Sequence, residues 1–233
     1  MDCPPGLYAD ASCEKPAVNV HEYTPAYQLW SDGADKERFV YLPDGQQINT
    51  DNPDAWSYPA GTRLYKTFMK SGTRLETRKI EKDANGSWSF ETYAWFPDQL
   101  HVRLVESTKD KWLKSDHTIP AKALCTRCHQ TPANDPVLGF GAIQLNAAAG
   151  ARGFTLDMLN QGRLTVPIDP QRALIPGSEQ AKQALGYLHA NCGNCHQGRD
   201  APYGLHLWVP LDTKTVADTG FAMDAVCVAS GRT

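Results

Sequence analysis

From about residue 20 to residue 114, apolar and polar positions tend to alternate with a period of two, and turn residues interrupt the pattern at short intervals. Glu37-Arg38-Phe39-Val40-Tyr41 runs into Pro43-Asp44-Gly45, residues 63–69 are followed by Ser71-Gly72, and residues 74–82 lead into Asn85-Gly86. Asp-Gly and Asn-Gly supply the left-handed backbone that tight hairpin turns require, so these runs predict antiparallel neighbours. Trp88, Phe90, Thr92, Ala94 and Phe96 then alternate with Ser89, Glu91, Tyr93 and Trp95, which makes a strand with one apolar and one mixed face. Tyr93 and Trp95 on the mixed face are either a docking surface or ordinary packing. Leu100, Val102 and Leu104 alternate with His101, Arg103 and Val105 in a further strand. Several strands in a row, joined by turns, predict an antiparallel sheet or a small barrel.

Beyond residue 115 the pattern changes to short helical stretches, Ala-rich segments and Pro-containing loops. Ser178-Glu179-Gln180, directly after Pro176-Gly177, opens the clearest helix. Its apolar face is Ala181, Ala184, Leu185 and Leu188, and it runs on into Cys192. Residues 118–128 predict a corresponding helix with Pro120 in its first turn, and residues 155–161 a short capped helix ending at Gly162. The change of character lies near residues 110–116, which divides the chain into 1–114 and 115–233.

Chemistry enters with one five-residue pattern present twice, Cys125-Thr126-Arg127-Cys128-His129 and Cys192-Gly193-Asn194-Cys195-His196. Cys-x-x-Cys-His is the attachment signature of c-type haem. Each thiol adds across a haem vinyl group, and the adjacent histidine becomes the proximal iron ligand. With seven Cys and seven His in 233 residues, chance supplies roughly 0.006 such patterns per chain. Zinc knuckles and thioredoxin-like redox pairs are the alternatives, but the two pairs lie 67 residues apart, wider than common zinc spacings. The cofactor-binding set is therefore Cys125, Cys128, His129, Cys192, Cys195 and His196, holding two covalently bound haem c groups. A weak internal repeat accompanies them: Gly141-Ala142-Ile143-Gln144-Leu145 follows the first motif and Gly204-Leu205-His206-Leu207 the second, each a glycine with an apolar strand-like run.

The distal ligands must come from elsewhere, and they set potential and reactivity. His189 precedes Cys192 by three residues and His196 by seven, so on one helix the three share a face. His189 and His196 would then stand about 10 Å apart along the axis and cannot grip one iron. A ligand role for His189 therefore belongs to the first haem, in a crossed arrangement; the plainer reading is a histidine packed beside a haem. Met158 is the alternative distal ligand, or a core methionine of a short helix, and Met223 is a weaker candidate. His117 and His206 rank lower, and His21 and His101 read as residues of the β segment.

Composition narrows the setting. No run of about 18 apolar residues exists, so no membrane-spanning helix is expected. The first residues have neither a basic nor an apolar region, so the sequence is expected to begin at or near a mature end. Haem c is attached outside the cytoplasm, which places the protein in the periplasm or outside the cell. The formal charge is −3, and two haems with ionised propionates would bring it to about −5; nucleic acid is not an expected partner. Three cysteines remain outside the motifs. Cys3 and Cys13 bracket a short Pro/Gly-containing segment and are expected to form a disulfide in an oxidising compartment, which leaves Cys227 over.

Residues 27–34 (Tyr-Gln-Leu-Trp-Ser-Asp-Gly-Ala), Gly61-Thr62-Arg63-Leu64, residues 139–145 and Tyr187-Leu188-His189-Ala190-Asn191-Cys192 together resemble a bacterial family of exported dihaem c-type cytochromes with an N-terminal β domain. The resemblance covers most of residues 25–230. It implies an α+β fold in which an antiparallel β domain precedes a mainly α-helical, cytochrome c-like dihaem region. It also implies a continuation beyond Thr233 to a Met-Pro motif that supplies the second haem's distal ligand, and it favours His189 over Met223. Members of the family are sometimes found with quinoprotein-type dehydrogenases, so the expected partners are redox proteins such as an exported dehydrogenase or a terminal acceptor. The expected function is electron transfer between them. An alternative is a dihaem enzyme of peroxidase type with one open iron site.

Overall fold

The computed structural model describes residues 1–106, 117–120, 122–126, 128–129, 135–146, 153–197 and 201–222. Arg127, Met223, Cys227 and the expected division at residues 114 and 115 lie outside the described residues.

Six strands form one antiparallel meander in chain order: β1 (Val20–Glu22), β2 (Asp35–Tyr41), β3 (Arg63–Lys70), β4 (Thr73–Lys82), β5 (Trp88–Trp95) and β6 (Val102–Leu104). The hairpin glycines do what the turn signals require: Gly45, Gly72 and Gly86 all sit at positive φ. The result is an open sheet, and both of its faces are covered. On one face Phe39 and Tyr65 pack with Leu7 and Val20, while Tyr93, Trp95 and Val102 pack with Cys13. Tyr93 and Trp95 are 2% and 0% exposed, so they are packing residues of the N-terminal segment and form no docking surface. A disulfide joins Cys3 to Cys13 with their Cα atoms 5.7 Å apart, as the bracketed loop predicts, and it fixes this cover on the sheet.

The opposite face meets the second half of the chain. Val40 and Leu64 lie in one hydrophobic core with Phe140, Ile143, Leu145, Leu156, Leu159, Ile168, Leu185 and Val209. Backbone bridges Tyr23 to Gly153 and Ile48 to Leu164 stitch the halves together. Residues from both sides of the expected division thus share a single core.

The expectation of a mainly α-helical cytochrome c-like region is not met. The described α-helices beyond residue 115 are α1 (Lys122–Cys125), α2 (Ala142–Leu145), α3 (Leu156–Leu159) and α4 (Glu179–Leu188). Three of them are four residues long, and the sheet dominates. Prolines 136, 167, 170, 176, 202 and 210 each remove a helix donor, and Gly139, Gly153, Gly162 and Gly177 take positive φ, so helical backbone is interrupted at each of these points. Residues 142–145, expected as a strand-like run, form α2 instead. The two capped helices fare as predicted. Thr155 accepts the Met158 amide at the start of α3, and Ser178 accepts the Ala181 amide at the start of α4. The buried face of α4 is Leu185 and Gly186, with Ala184 exposed, because Gly186 lies so close to the Tyr27 ring that a Cβ there would come within 2.0 Å.

Candidate functional site

Both Cys-x-x-Cys-His motifs adopt the same local geometry. In the first, the Cys128 and His129 amides donate to the Cys125 carbonyl at 3.2 and 3.0 Å; in the second, the Cys195 and His196 amides donate to the Cys192 carbonyl at 3.0 and 2.9 Å. That turn brings the histidine back beside the first cysteine. Each histidine is then held from behind: His129 Nδ1 lies 2.6 Å from the Pro136 carbonyl, and His196 Nδ1 lies 3.3 Å from the Leu205 carbonyl. A ring whose Nδ1–H donates to a carbonyl keeps the Nε2 lone pair for a metal, the arrangement of histidine ligands in general. The four motif cysteines are free thiols, Cys125 and Cys192 half-buried, Cys128 and Cys195 exposed. Burial pushes the Cys125 thiol up, which suits a neutral thiol more than a zinc thiolate. Among the described residues no group of three or more His, Cys, Asp or Glu side chains gathers as a metal-ion site, so the two pairs do not converge on a shared ion.

The surroundings of the motifs differ. The His129 ring sits 5.5 Å from that of Phe90 on β5. Desolvation, and next the Lys66 charge, hold its pKa down at about 4, so it is neutral and ready to ligate at neutral pH. Its carbonyl support is anchored through Asp135, whose carboxylate accepts from the Lys82 ammonium (2.8 Å), the Trp88 indole (2.9 Å) and the Tyr58 amide (2.7 Å). The second motif grows out of α4 through a π-helical turn, His189–Gly193, a form concentrated at functional sites. His189, Cys192 and His196 are therefore not on one continuous α-helix. Residues 205–209 close over this turn: the Leu207 amide donates to the His196 carbonyl at 2.9 Å. Gly193 permits the approach, because a Cβ there would meet the Leu207 carbonyl and the Trp208 Cα at 3.1 Å.

His189 is 3% exposed, with its ring 4.2 Å from that of Trp208. Its Nδ1 accepts the Val209 amide at 3.2 Å, which puts the ring proton on Nε2. Desolvation lowers its pKa to about 4. Iron ligation through Nε2 requires the Val209 amide to release Nδ1. Met158 is 43% exposed on α3, so it is neither a core methionine nor a wall of the cleft described next. His117 donates or accepts at Glu76 (2.7 Å) beneath Phe68, His21 lies on β1 against Phe154, and His101 pairs with Asp98.

A cleft of about 960 Å³, its open mouth included, lies between the sheet and the second half. Val137, Leu138 and Phe140, which follow the first motif, line it together with His189, Asn194 and Trp208 from the second. Arg38 and Lys66 line it from the sheet. Sequence reading passed over these two cations, because on adjacent strands Arg38 and Lys66 are 28 residues apart and only the register makes them neighbours. No family model, curated protein or solved structure matches the chain.

Proposed function

We propose that this chain is an exported dihaem c-type cytochrome that transfers electrons between redox proteins, such as a dehydrogenase and a terminal acceptor. The single observation that carries the reading is the pair of matched motifs, in which free thiols stand at attachment spacing and a histidine is held through Nδ1, with no partner at Nε2 among the described residues. The donor set fits haem c: Cys125 and Cys128 would hold one group with His129 below it, and Cys192 and Cys195 a second with His196. Bound haem supplies a one-electron iron couple. The chain's own part is to fix ring orientation through Pro136 and Leu205, to exclude water with Phe90 and Trp208, and to keep the two groups on one rigid frame. His189 stands as the candidate distal ligand of the first iron, since it shares the cleft with the segment that follows the first motif. Described helices include none long and apolar enough to cross a membrane, and the Cys3–Cys13 disulfide suits a periplasmic or extracellular setting.

The test is haem content after expression with a c-type maturation system. The denatured protein should keep its colour, gain about two haem masses and give a haem c pyridine spectrum. Cys125→Ala and Cys192→Ala should each impair attachment of one haem only. Complete extraction of colour into acid acetone would overturn the proposal.

A further inference from the structure

Residues 27–34 clamp the second attachment segment to the sheet, and one side chain of that run stands out in solvent. The Tyr27 ring covers Gly186 on α4, and the Tyr27 amide donates to Gln144 Oε1 at 3.1 Å. Gln28 Oε1 accepts from Arg38, and the Leu29 carbonyl accepts from the Lys36 ammonium. The Trp30 amide donates to Asn191 Oδ1 at 2.7 Å. Asn191 Nδ2 in turn donates to the Tyr187 carbonyl at 2.9 Å and to the Gln28 carbonyl at 3.4 Å. Ser31 closes a turn onto the Ala34 carbonyl at 2.9 Å, with Asp32 and Gly33 at positive φ. The backbone on both sides of Trp30 is therefore fixed, yet Trp30 is 64% exposed and Tyr187 is 52% exposed. A single carboxamide holds both residues, and it belongs to the residue directly before Cys192.

Large aromatic side chains on a pre-organised backbone are the anchors that protein interfaces use, because little freedom is lost when they are covered. The surrounding charge indicates the partner. Asp32 and Asp35 are exposed on the Trp30 side, and Gln183 and Glu179 stand one and two turns before Tyr187 on the exposed stripe of α4. Of the neighbouring cations, Lys36 directs its ammonium to the Leu29 carbonyl, which leaves half-buried Lys182 on α4 against these three acids. Cys195 is exposed and Cys192 half-buried, so the attachment edge of the second motif reaches the surface. We infer that Trp30 and Tyr187 form the docking surface through which the second haem exchanges electrons with a redox protein whose contact face is basic. An aromatic patch beside Cys192 brings a docked partner to the edge of the haem attached there. The acidic rim raises the rate of encounter and leaves release fast. This inference rests on the cytochrome reading.

The experiment mixes the reduced dihaem holoprotein with an oxidised, basic single-haem cytochrome c in a stopped-flow instrument. One electron passes from the ferrous second haem to the partner's ferric haem. Hexacyanoferrate(III), a small oxidant with no need of an aromatic patch, is the control. The rate constant with the basic cytochrome should fall as salt rises. Trp30→Ala and Tyr187→Ala should each lower it by about tenfold at low salt, with both midpoint potentials and the hexacyanoferrate(III) rate unchanged. Trp30→Phe should restore most of it. Asp32→Asn combined with Asp35→Asn should flatten the salt dependence, and Cys192→Ala, which keeps only the first haem, should lose the fast reaction. Two attached haems with a rate that neither Trp30→Ala nor Tyr187→Ala changes would overturn the docking surface and leave the cytochrome reading standing; no covalent haem in the parent protein would overturn both. Sedimentation showing a parent dimer that Trp30→Ala dissociates would assign the patch to a second copy of this chain and reject the redox partner. Should Trp30→Ala not fold, Tyr187→Ala and the paired aspartate variant decide the matter alone.

Discussion

The His189 imidazole has one proton and two neighbours that want opposite tautomers. The Val209 amide donates to Nδ1, whereas an iron at Nε2 would ask Nδ1 to carry the proton. Binding to the first iron would therefore exchange one backbone hydrogen bond, worth about 1 kcal/mol, for a coordinate bond, an exchange that favours the metal. Under the crossed assignment, His189→Ala in the holoprotein should convert the first haem from low to high spin and leave the second nearly unchanged, as read from the oxidised visible and paramagnetic resonance spectra. A first haem that stays six-coordinate, with a methionine-to-iron charge-transfer band, would transfer the role to Met158. That outcome would require α3 to move, since Met158 now faces solvent.

At the scale of elements, strand register aligns Arg38, Lys66 and Arg78 across β2, β3 and β4, and this row of cations has a consequence for stability. Burial, with Arg38, Arg78 and Lys36 nearby, lowers the Lys66 pKa from 10.5 to about 7, and burial with Arg38 and Arg78 lowers that of Lys36 to about 8. Between pH 7 and 10.5 the unfolded chain then binds more protons than the folded one, so stability rises with pH across that window. The haem-free chain, with all four motif cysteines changed to serine, should melt at a higher temperature at pH 9 than at pH 7. Lys66→Met should raise the midpoint at pH 7 and flatten the dependence. A parent chain with no change in midpoint from pH 7 to 9 would mean that water already screens the row.

For the whole molecule, the shared core predicts cooperative behaviour. Leu145 is fully buried among residues from both halves, so Leu145→Ala should cost about 2–5 kcal/mol. Unfolding followed by circular dichroism, which reports the sheet, should coincide with unfolding followed by tryptophan fluorescence, which also reports Trp208 beside the second motif. Two separated transitions would show that the sheet and the motif-bearing half fold independently.

Local interactions were legible in the sequence, and distant ones were not. Hairpin turns, the caps at Thr155 and Ser178 and the small Cys3–Cys13 loop depend on residues a few positions apart, so alternation and turn chemistry sufficed to place them. The turns of the two Cys-x-x-Cys-His segments belong to the same class, since their hydrogen bonds close within five residues. The expected α-helical region does not form among the described residues, where glycines at positive φ (Gly139, Gly153, Gly162 and Gly177) and prolines 136, 167, 170 and 176 separate short helices. Tertiary structure alone decided that Tyr93 and Trp95 are covered, that Met158 faces solvent, and that one core joins both halves. It alone aligned Arg38, Lys66 and Arg78, for strand register brings together charges that the chain keeps 28 and 12 residues apart.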